Sequence, residues 1–383
     1  MSKDNKILKS SLRVLFVSHA YAIGMNQGKL NAITEVEGVE VGLLVPSNWK
    51  AREWNRLIPV ENPYPQIRIY SAPVQFSSRG GAHFYNPWQV WQVLTDFKPD
   101  IVQVEEEVFS LCTFELAILT KLINRPLIVF GWENIERRLP FPRWLTCQFV
   151  LNTVSFLIPG NQDGANIMRQ WGYKGLLEVM PQIGVDTHLF TSDLVKCDRQ
   201  QFNIGFLGRL VPEKGIDLLL SSVRQLQDRG LKCNLIICGS GSQETALRQQ
   251  AKALQIEDWI SWKGAILHEE APTAISQFDV LVLPSRTISN WKEQFGHVLI
   301  EAMAMGIPVI GSTCGEIPNV IQCNNLIFQE ENIQELTTIL DRMIRNPHWR
   351  KEMARHGINM VNKYYSHQRI AKRLLDVWHI ISK

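Results

Sequence analysis

Short apolar runs recur along the whole chain, too brief to span a membrane and too regularly separated for an all-helical protein. In the first half they are RVLFVS (13–18), VEVGLLV (39–45), IRIYSA (67–72), DIVQVE (100–105), PLIVFG (126–131) and FLIPG (156–160). In the second half they are FNIGFLG (202–208), LKCNLIICG (231–239), WISWKG (259–264), DVLVLPS (279–285) and IPVIGS (307–312). Several are apolar at consecutive positions, the pattern of strands covered on both faces. Helical segments are predicted between them at 86–97, 109–123, 161–172, 214–229, 242–255 and 297–305. The last stretch, 366–383, places Ile370, Leu374, Val377 and Ile381 on one side of an amphipathic helix. Strand–helix alternation in both halves predicts an α/β protein with two doubly wound parallel sheets. The segment 180–201 is polar, rich in turn residues and without periodicity, so the border between the halves is expected there, with a hinge near 182–200.

Size and composition fit this picture. A chain of 383 residues suits two domains, and 45% apolar residues supply a core for each. The net charge of +3 is spread over both halves, unlike the concentrated basic stripe of a nucleic-acid binder. Seven cysteines (112, 147, 197, 233, 238, 314 and 323) form no Cys-x-x-Cys and read as reduced thiols of a cytosolic protein. At the N-terminus, residues 1–26 carry lysines and one apolar run soon cut by His19, which reads as a polar tail and first strand, not a signal peptide. No stretch reaches the ~18 uninterrupted apolar residues of a membrane span. The expectation is a soluble or peripheral protein.

Two stretches carry chemistry. In NIGFLGRLVPEKGIDLLLSSV (203–223) a strand ends at Gly208, and Arg209, Glu213, Lys214 and Gly215 lead into a helix. A helix N-terminus with two added cations is an anion site, in which Arg209 forks onto phosphate oxygens and Lys214 adds a mobile charge. The same residues also read as a solvated strand–helix turn. In KEQFGHVLIEAMAMGIPVI (292–310), Gly296 permits close backbone approach, and the N–H groups of Phe295, Gly296, His297 and Val298 open a helix. Glu293 lies just outside that helix, within reach of sugar hydroxyls. Glu301 lies about one and a half turns inside it, where it could hold a ribose diol or be an ordinary surface residue. Gly315, in GSTCGEIPNVI (311–321), marks a close-approach turn or a plain loop. No Asp-x-Asp occurs, so a divalent metal has no evident ligands.

Taken in order, GRLVPEKG, GSGSQETALRQQAKALQI, WKGAI, DVLVLPS, the Glu293/Glu301 pair, EAMAMGIPVIGSTCGEIPNVI and YYSHQRIAKR resemble the family 4 retaining glycosyltransferases from Asn203 to about Tyr365. That resemblance implies the GT-B fold: two facing Rossmann-like doubly wound domains with the C-terminal helix crossing back to the first. The expected division is 1–196, with helix 366–383, for an acceptor-binding domain and 197–365 for a nucleotide-sugar donor domain. It further implies that Arg209 and Lys214 neutralise the donor diphosphate, that Glu293 contacts the donor sugar and Glu301 the ribose, and that backbone near Gly264 meets the base. The implied activity is a retaining, metal-independent hexosyl transfer from a nucleoside-diphosphate sugar to a glycan or lipid-linked acceptor, without a cofactor. Polysaccharide or cell-envelope glycan synthesis is the implied setting.

The first half departs from the family. In place of a Gly-Gly loop it has the separated Gly24 and Gly28. Where many members carry a histidine after a later strand it has Trp132, Glu133 and Asn134. His19, at the end of the first strand, reads either as a structural histidine or as a substrate-side group at the cleft mouth. Residues 133–150 mix Arg137, Arg138 and Arg143 with Phe141 and Trp144, as an anionic membrane surface carrying a lipid-linked acceptor would require; with two interrupting prolines they also read as ordinary surface. Two other functions stay open: a non-catalytic nucleotide-sugar-binding or assembly partner, and a GT-B sugar-nucleotide epimerase. The protein is placed in the cytoplasm, or peripherally at the inner face of the membrane, with no nucleic-acid partner.

Overall fold

The computed structural model describes residues 11–51, 56–79, 81–195 and 201–382. The polar tail expected at residues 1–10 lies outside the described residues, as do residues 196–200 of the border segment and Cys197. Two compact units emerge, Met1–Gly184 with His367–Lys383, and Val185–Ser366.

The first unit is built on strands β1 (Leu12–Val17), β2 (Val39–Pro46), β3 (Arg68–Ala72), β4 (Ile101–Glu105), β5 (Leu127–Gly131), β6 (Phe156–Pro159) and β7 (Leu176–Leu177). They form one parallel sheet in the order β7-β6-β5-β4-β1-β2-β3. Alternate residues of β1 serve opposite faces, as strand geometry requires. Leu15 and Val17 enter one apolar core, and Val14 and Phe16 enter another. The second core is completed by Ile370, Leu374, Val377 and Trp378 of the C-terminal helix His367–Ile381. Gly28 admits that helix, because a Cβ there would lie 2.3 Å from the His367 ring.

The second unit repeats the plan with β8 (Phe202–Leu207), β9 (Cys233–Cys238), β10 (Ile260–Gly264), β11 (Val280–Leu283), β12 (Val309–Ser312) and β13 (Ile327–Phe328). Its parallel sheet has the order β10-β9-β8-β11-β12-β13. In each sheet the chain first winds one way and then returns to wind the other. The reversal falls between β1 and β4 in the first sheet and between β8 and β11 in the second. Ligands of open α/β sheets bind beyond the carboxyl ends of strands at such reversals.

The sequence pattern passes over the two-residue edge strands β7 and β13. It also passes over several helices, including Gly28–Thr34, Phe141–Thr153, Ile333–Arg345 and Pro347–Met360. In 133–150 the prolines do not interrupt a helix but begin one: Pro140 is the cap of Phe141–Thr153 and Pro142 lies in its first turn, where a missing N–H costs nothing. Among the described residues no helix is long and apolar enough to cross a membrane. The six described cysteines are free thiols.

Candidate active site

At the reversal of the second sheet, the loop after β8 faces the loop after β11. The first turns sharply through Pro212–Lys214 and leaves by Gly215 at φ +66°, whose missing Cβ would otherwise lie 2.0 Å from the Pro284 carbonyl oxygen. Only glycine allows this contact between a helix start and a strand end. A second tie runs from the Arg286 N–H to the Glu213 carbonyl, 2.9 Å, and the Arg286 guanidinium forks onto both oxygens of Asp217 at 2.8 Å.

So held, the loops bring Lys214 and Glu293 together. The ammonium donates to Glu293 Oε2 at 2.6 Å, and the Ser285 hydroxyl donates to the same oxygen at 2.8 Å. Both side chains are mostly enclosed, 14% and 9% exposed, and Lys214 also lies 5.1 Å over the Trp291 ring. Gly315, at φ +55°, keeps Glu293 in place: a Cβ there would lie 2.0 Å from the Glu293 carbonyl, which instead accepts from the Glu316 N–H at 3.1 Å. The close-approach turn in GSTCGEIPNVI is therefore a backbone seat for Glu293. Arg209 sits on the same β8 loop, half exposed, 4.0 Å from Glu213.

The helix His297–Ala304 begins beside this pair. Gly296 is its cap, at φ +83° and with no side-chain capping bond, so the first-turn N–H groups of His297 and Val298 lie at a helix end of positive dipole. Phe295 is buried and packs on His297 and Tyr365. Glu301, in the second turn, is no ordinary surface residue: its side chain is 14% exposed, and burial pushes its carboxyl up to about 7. Its near neighbour is His268, at 4.0 Å, whose own pKa burial lowers against a smaller upward pull from Glu269. Gly264 ends β10, two strands from Arg209, with φ +71° and open space where a side chain would be.

The reversal of the first sheet carries other chemistry. His19 follows β1, and Glu106 follows β4. Glu106 Oε1 accepts from the His19 backbone N–H at 2.9 Å and contacts His19 Nδ1 at 2.6 Å. Burial alone would lower the His19 pKa, but the charge and hydrogen bond of Glu106 outweigh it and raise it. Burial would likewise raise Glu106, but His19, with help from His83, holds it well below the usual carboxylate range. Trp49 stacks on the His19 ring with centroids 4.3 Å apart, and buried His83 lies 3.6 Å from Glu106. Beneath them Glu105 accepts from Lys29 and Gln103, each at 2.7 Å, and from the Tyr21 hydroxyl. Glu107 receives the N–H groups of Trp132 and Glu133, and burial and the Glu133 charge bring it to about 7. Gly24 lies apart from this group, under Pro63 and with its N–H on Glu61 at 2.7 Å.

His19, His83 and Glu106 form the one His/Cys/Asp/Glu group among the described residues close enough to share an ion, their ligand atoms lying within 4.8 Å. The geometry is nevertheless that of a hydrogen-bonded dyad, since Glu106 Oε1 already accepts two N–H groups of His19. Sequence reading singled out His19 but missed Glu106, His83 and Trp49. The run Glu105–Glu107 resembles a solvated acidic face, and no fixed spacing links His19 to positions 49, 83 or 106. Ser285 was missed for the same reason.

Residues 196–360 match the family model of glycosyl transferases group 1. Among curated relatives, the GDP-mannose-dependent alpha-(1-6)-phosphatidylinositol monomannoside mannosyltransferase of Mycobacterium tuberculosis is 27% identical over 54% of this chain and 56% of its own. Alpha-D-kanosaminyltransferase of Streptomyces kanamyceticus is 25% identical over 46% of this chain and 45% of its own. The chain thus spans about half the length of the curated relatives it matches. Among solved structures, Anabaena Alr3699/HepE in complex with UDP superposes with a TM-score of 0.70 over 96% of this chain and 99% of that one, at 17% identity. Sucrose-phosphate synthase of Thermosynechococcus elongatus gives 0.71 over 97% and 99%, at 16% identity. At such identities the likeness is one of fold.

Proposed function

We propose, from the match of residues 196–360 to glycosyl transferases group 1 and the likeness of fold to solved GT-B structures, that this chain moves a hexosyl group from a nucleoside-diphosphate sugar to a glycan or lipid-linked acceptor. Retention of anomeric configuration and a role in polysaccharide or cell-envelope glycan synthesis belong to this reading. The observation that carries it is the Lys214–Glu293 pair, seated at the reversal of the second sheet beside the Gly296 helix start.

Cleavage of the sugar–phosphate bond gathers negative charge on the leaving diphosphate. Arg209, Lys214 and the helix end at 295–298 would stabilise that charge as it grows, without a metal ion. Glu293 would hold the donor sugar as positive charge develops on its ring. Glu301 would accept from the ribose diol, with backbone near Gly264 meeting the base. The dry setting of Glu301 makes that contact proton-linked: donor affinity rises as pH passes about 7 and the carboxylate forms. The first unit would bind the acceptor. There, exposed Phe141, Trp144 and Leu145 on one helix, next to Arg138 and Arg143, support peripheral contact with an anionic membrane face on the cytoplasmic side.

The test is a panel of UDP-, GDP- and ADP-sugars, measured for binding by calorimetry and for turnover by release of nucleoside diphosphate. The reading predicts one preferred donor, and loss of turnover in Lys214→Ala. Absence of binding across the panel overturns it.

A further inference from the structure

The first unit holds a histidine that its own fold leaves unsatisfied. His83, just before Phe84, is 1% exposed, and among the described residues neither of its ring nitrogens has a hydrogen-bond partner. Buried polar groups are normally paired. Its Nε2 lies 3.6 Å from Glu106 Oε1, too far for a hydrogen bond. We propose that His83, His19 and Glu106 form a Zn²⁺ site, with two imidazoles and a carboxylate as protein ligands and water as the fourth. The site belongs to the first unit alone, so the proposal is independent of the donor chemistry assigned to the second.

The geometry is close to what the ion requires. Tetrahedral Zn²⁺ with bonds of about 2.0–2.1 Å sets its ligand atoms about 3.3 Å apart. Here Glu106 Oε1 is 2.6 Å from His19 Nδ1 and 3.6 Å from His83 Nε2, and the three ligand atoms all lie within 4.8 Å of one another. Shifts of several tenths of an ångström convert one arrangement into the other. The His19–Glu106 dyad holds a proton between Nδ1 and Oε1, and the cation competes for that place. His83 is the member that gains most, since coordination satisfies a nitrogen that the dyad leaves unpaired.

The surroundings suit an ion of this kind. Trp49 stacks on His19 at 4.3 Å and meets the His83 ring edge-on at 5.0 Å, an apolar wall that shields the ligands. Glu106 is also held by the His19 backbone N–H at 2.9 Å. The His19 side chain, 37% exposed, gives the ion a way in, whereas those of Glu106 and His83 are enclosed. Two imidazoles favour Zn²⁺ over Mg²⁺, which takes oxygen ligands. Neighbouring Glu105 is already paired with Lys29 at 2.7 Å.

The experiment titrates ZnCl₂, and separately MgCl₂, into full-length protein dialysed against EDTA and then buffer, by calorimetry. Wild type, His19→Ala, His83→Ala and a control, His348→Ala, in which an exposed histidine outside the trio is removed, are compared after unfolding curves establish that each is folded. Wild type should bind a single Zn²⁺ per chain, with no comparable binding of Mg²⁺. His19→Ala and His83→Ala should each weaken Zn²⁺ at least roughly tenfold, and His348→Ala should not. Zn²⁺ should raise the melting temperature of wild type and of His348→Ala, but not that of His83→Ala. Co²⁺ in place of Zn²⁺ should give the absorption of a tetrahedral site without thiolate charge-transfer bands. If His83→Ala is unfolded, His19→Ala, the change at the more exposed ligand, decides. No Zn²⁺ binding by wild type overturns the proposal, as does binding that the changes at His19 and His83 leave untouched. Thiolate bands with Co²⁺ would assign the ion to cysteines, and equal affinity for Mg²⁺ would assign it to carboxylates; either result overturns the proposal.

Discussion

The two units are variations on one plan, a parallel sheet wound both ways, yet their reversal points hold opposite chemistry. In the second unit the loops bring cations and a helix N-terminus: Arg209, Lys214 and Gly296, with Glu293 as the counter-charge. In the first they bring carboxylates and imidazoles, and the protein cancels its own charges, Lys29 on Glu105 and His19 on Glu106. A sheet of this kind supplies an address, and the residues following two strands decide what is received there. Both addresses pair their charges, but the second adds a half-exposed Arg209 and an uncapped helix start, which suit an anion.

The largest expected effect tests the claim that the first unit balances its charges internally. Lys29→Met leaves Glu105 buried without its cation and should cost about 3–5 kcal/mol of stability by denaturant unfolding. Adding Glu105→Gln should recover most of the loss; a single mutant as stable as wild type would break that half of the comparison. Next comes the second unit. Glu293→Gln should lower kcat by roughly 100-fold, while donor affinity by calorimetry moves only a few-fold, because the charge it answers peaks in the transition state. Lys214→Ala should behave alike. If Glu293→Gln keeps full turnover while Glu301→Ala abolishes it at unchanged affinity, the two glutamates have been given each other's work.

Glu301 sharpens the comparison through stability. Its pKa is raised from about 4.5 to about 7 by burial, so below pH 4.5 it is neutral whether the chain is folded or not. As pH rises from there, the unfolded chain ionises first and folding loses free energy, up to about 3 kcal/mol above pH 7. Glu301→Gln removes that loss, so its melting temperature should exceed wild type at pH 8 and converge with it at pH 4. The smallest effect is expected from a strong chelator, which should leave turnover unchanged. Loss restored by Mg²⁺ or Mn²⁺ would move the charge stabilisation from Arg209 and Lys214 to a metal.

Much of the fold was legible because buried parallel strands write themselves as consecutive apolar residues; β1, β2, β8, β9 and β11 all do so. Edge strands of two residues leave too short a record. The helix Phe141–Thr153 was obscured because proline breaks a helix interior but begins a helix at its first turn, and composition alone does not say which position it holds. At the site, local signals survived. Arg209, Lys214, Glu293 and Gly296 lie next to strand ends or a helix start that the pattern reveals. The seat made by Gly315 and the partners of His19 did not, since contact between residues far apart in the chain depends on strand order. Glu105 and Glu106 also contradict their usual exposure, being 3% and 8% exposed, because Lys29 and His19 compensate them.

The last helix gives the chain a particular schedule. Trp378, fully buried, donates to Gln103 at 3.1 Å, and Gln103 in turn bonds Glu105, so residues made only after the second unit close the charge network of the first. At roughly 5–20 residues per second, the first sheet waits on the order of ten to forty seconds for that helix while the second unit is made. During that interval the face that Ile370, Leu374 and Val377 will cover stays apolar and open. The first unit is completed only after the second has been made, and its exposure to chaperones and proteases is set by the length of the domain inserted within it.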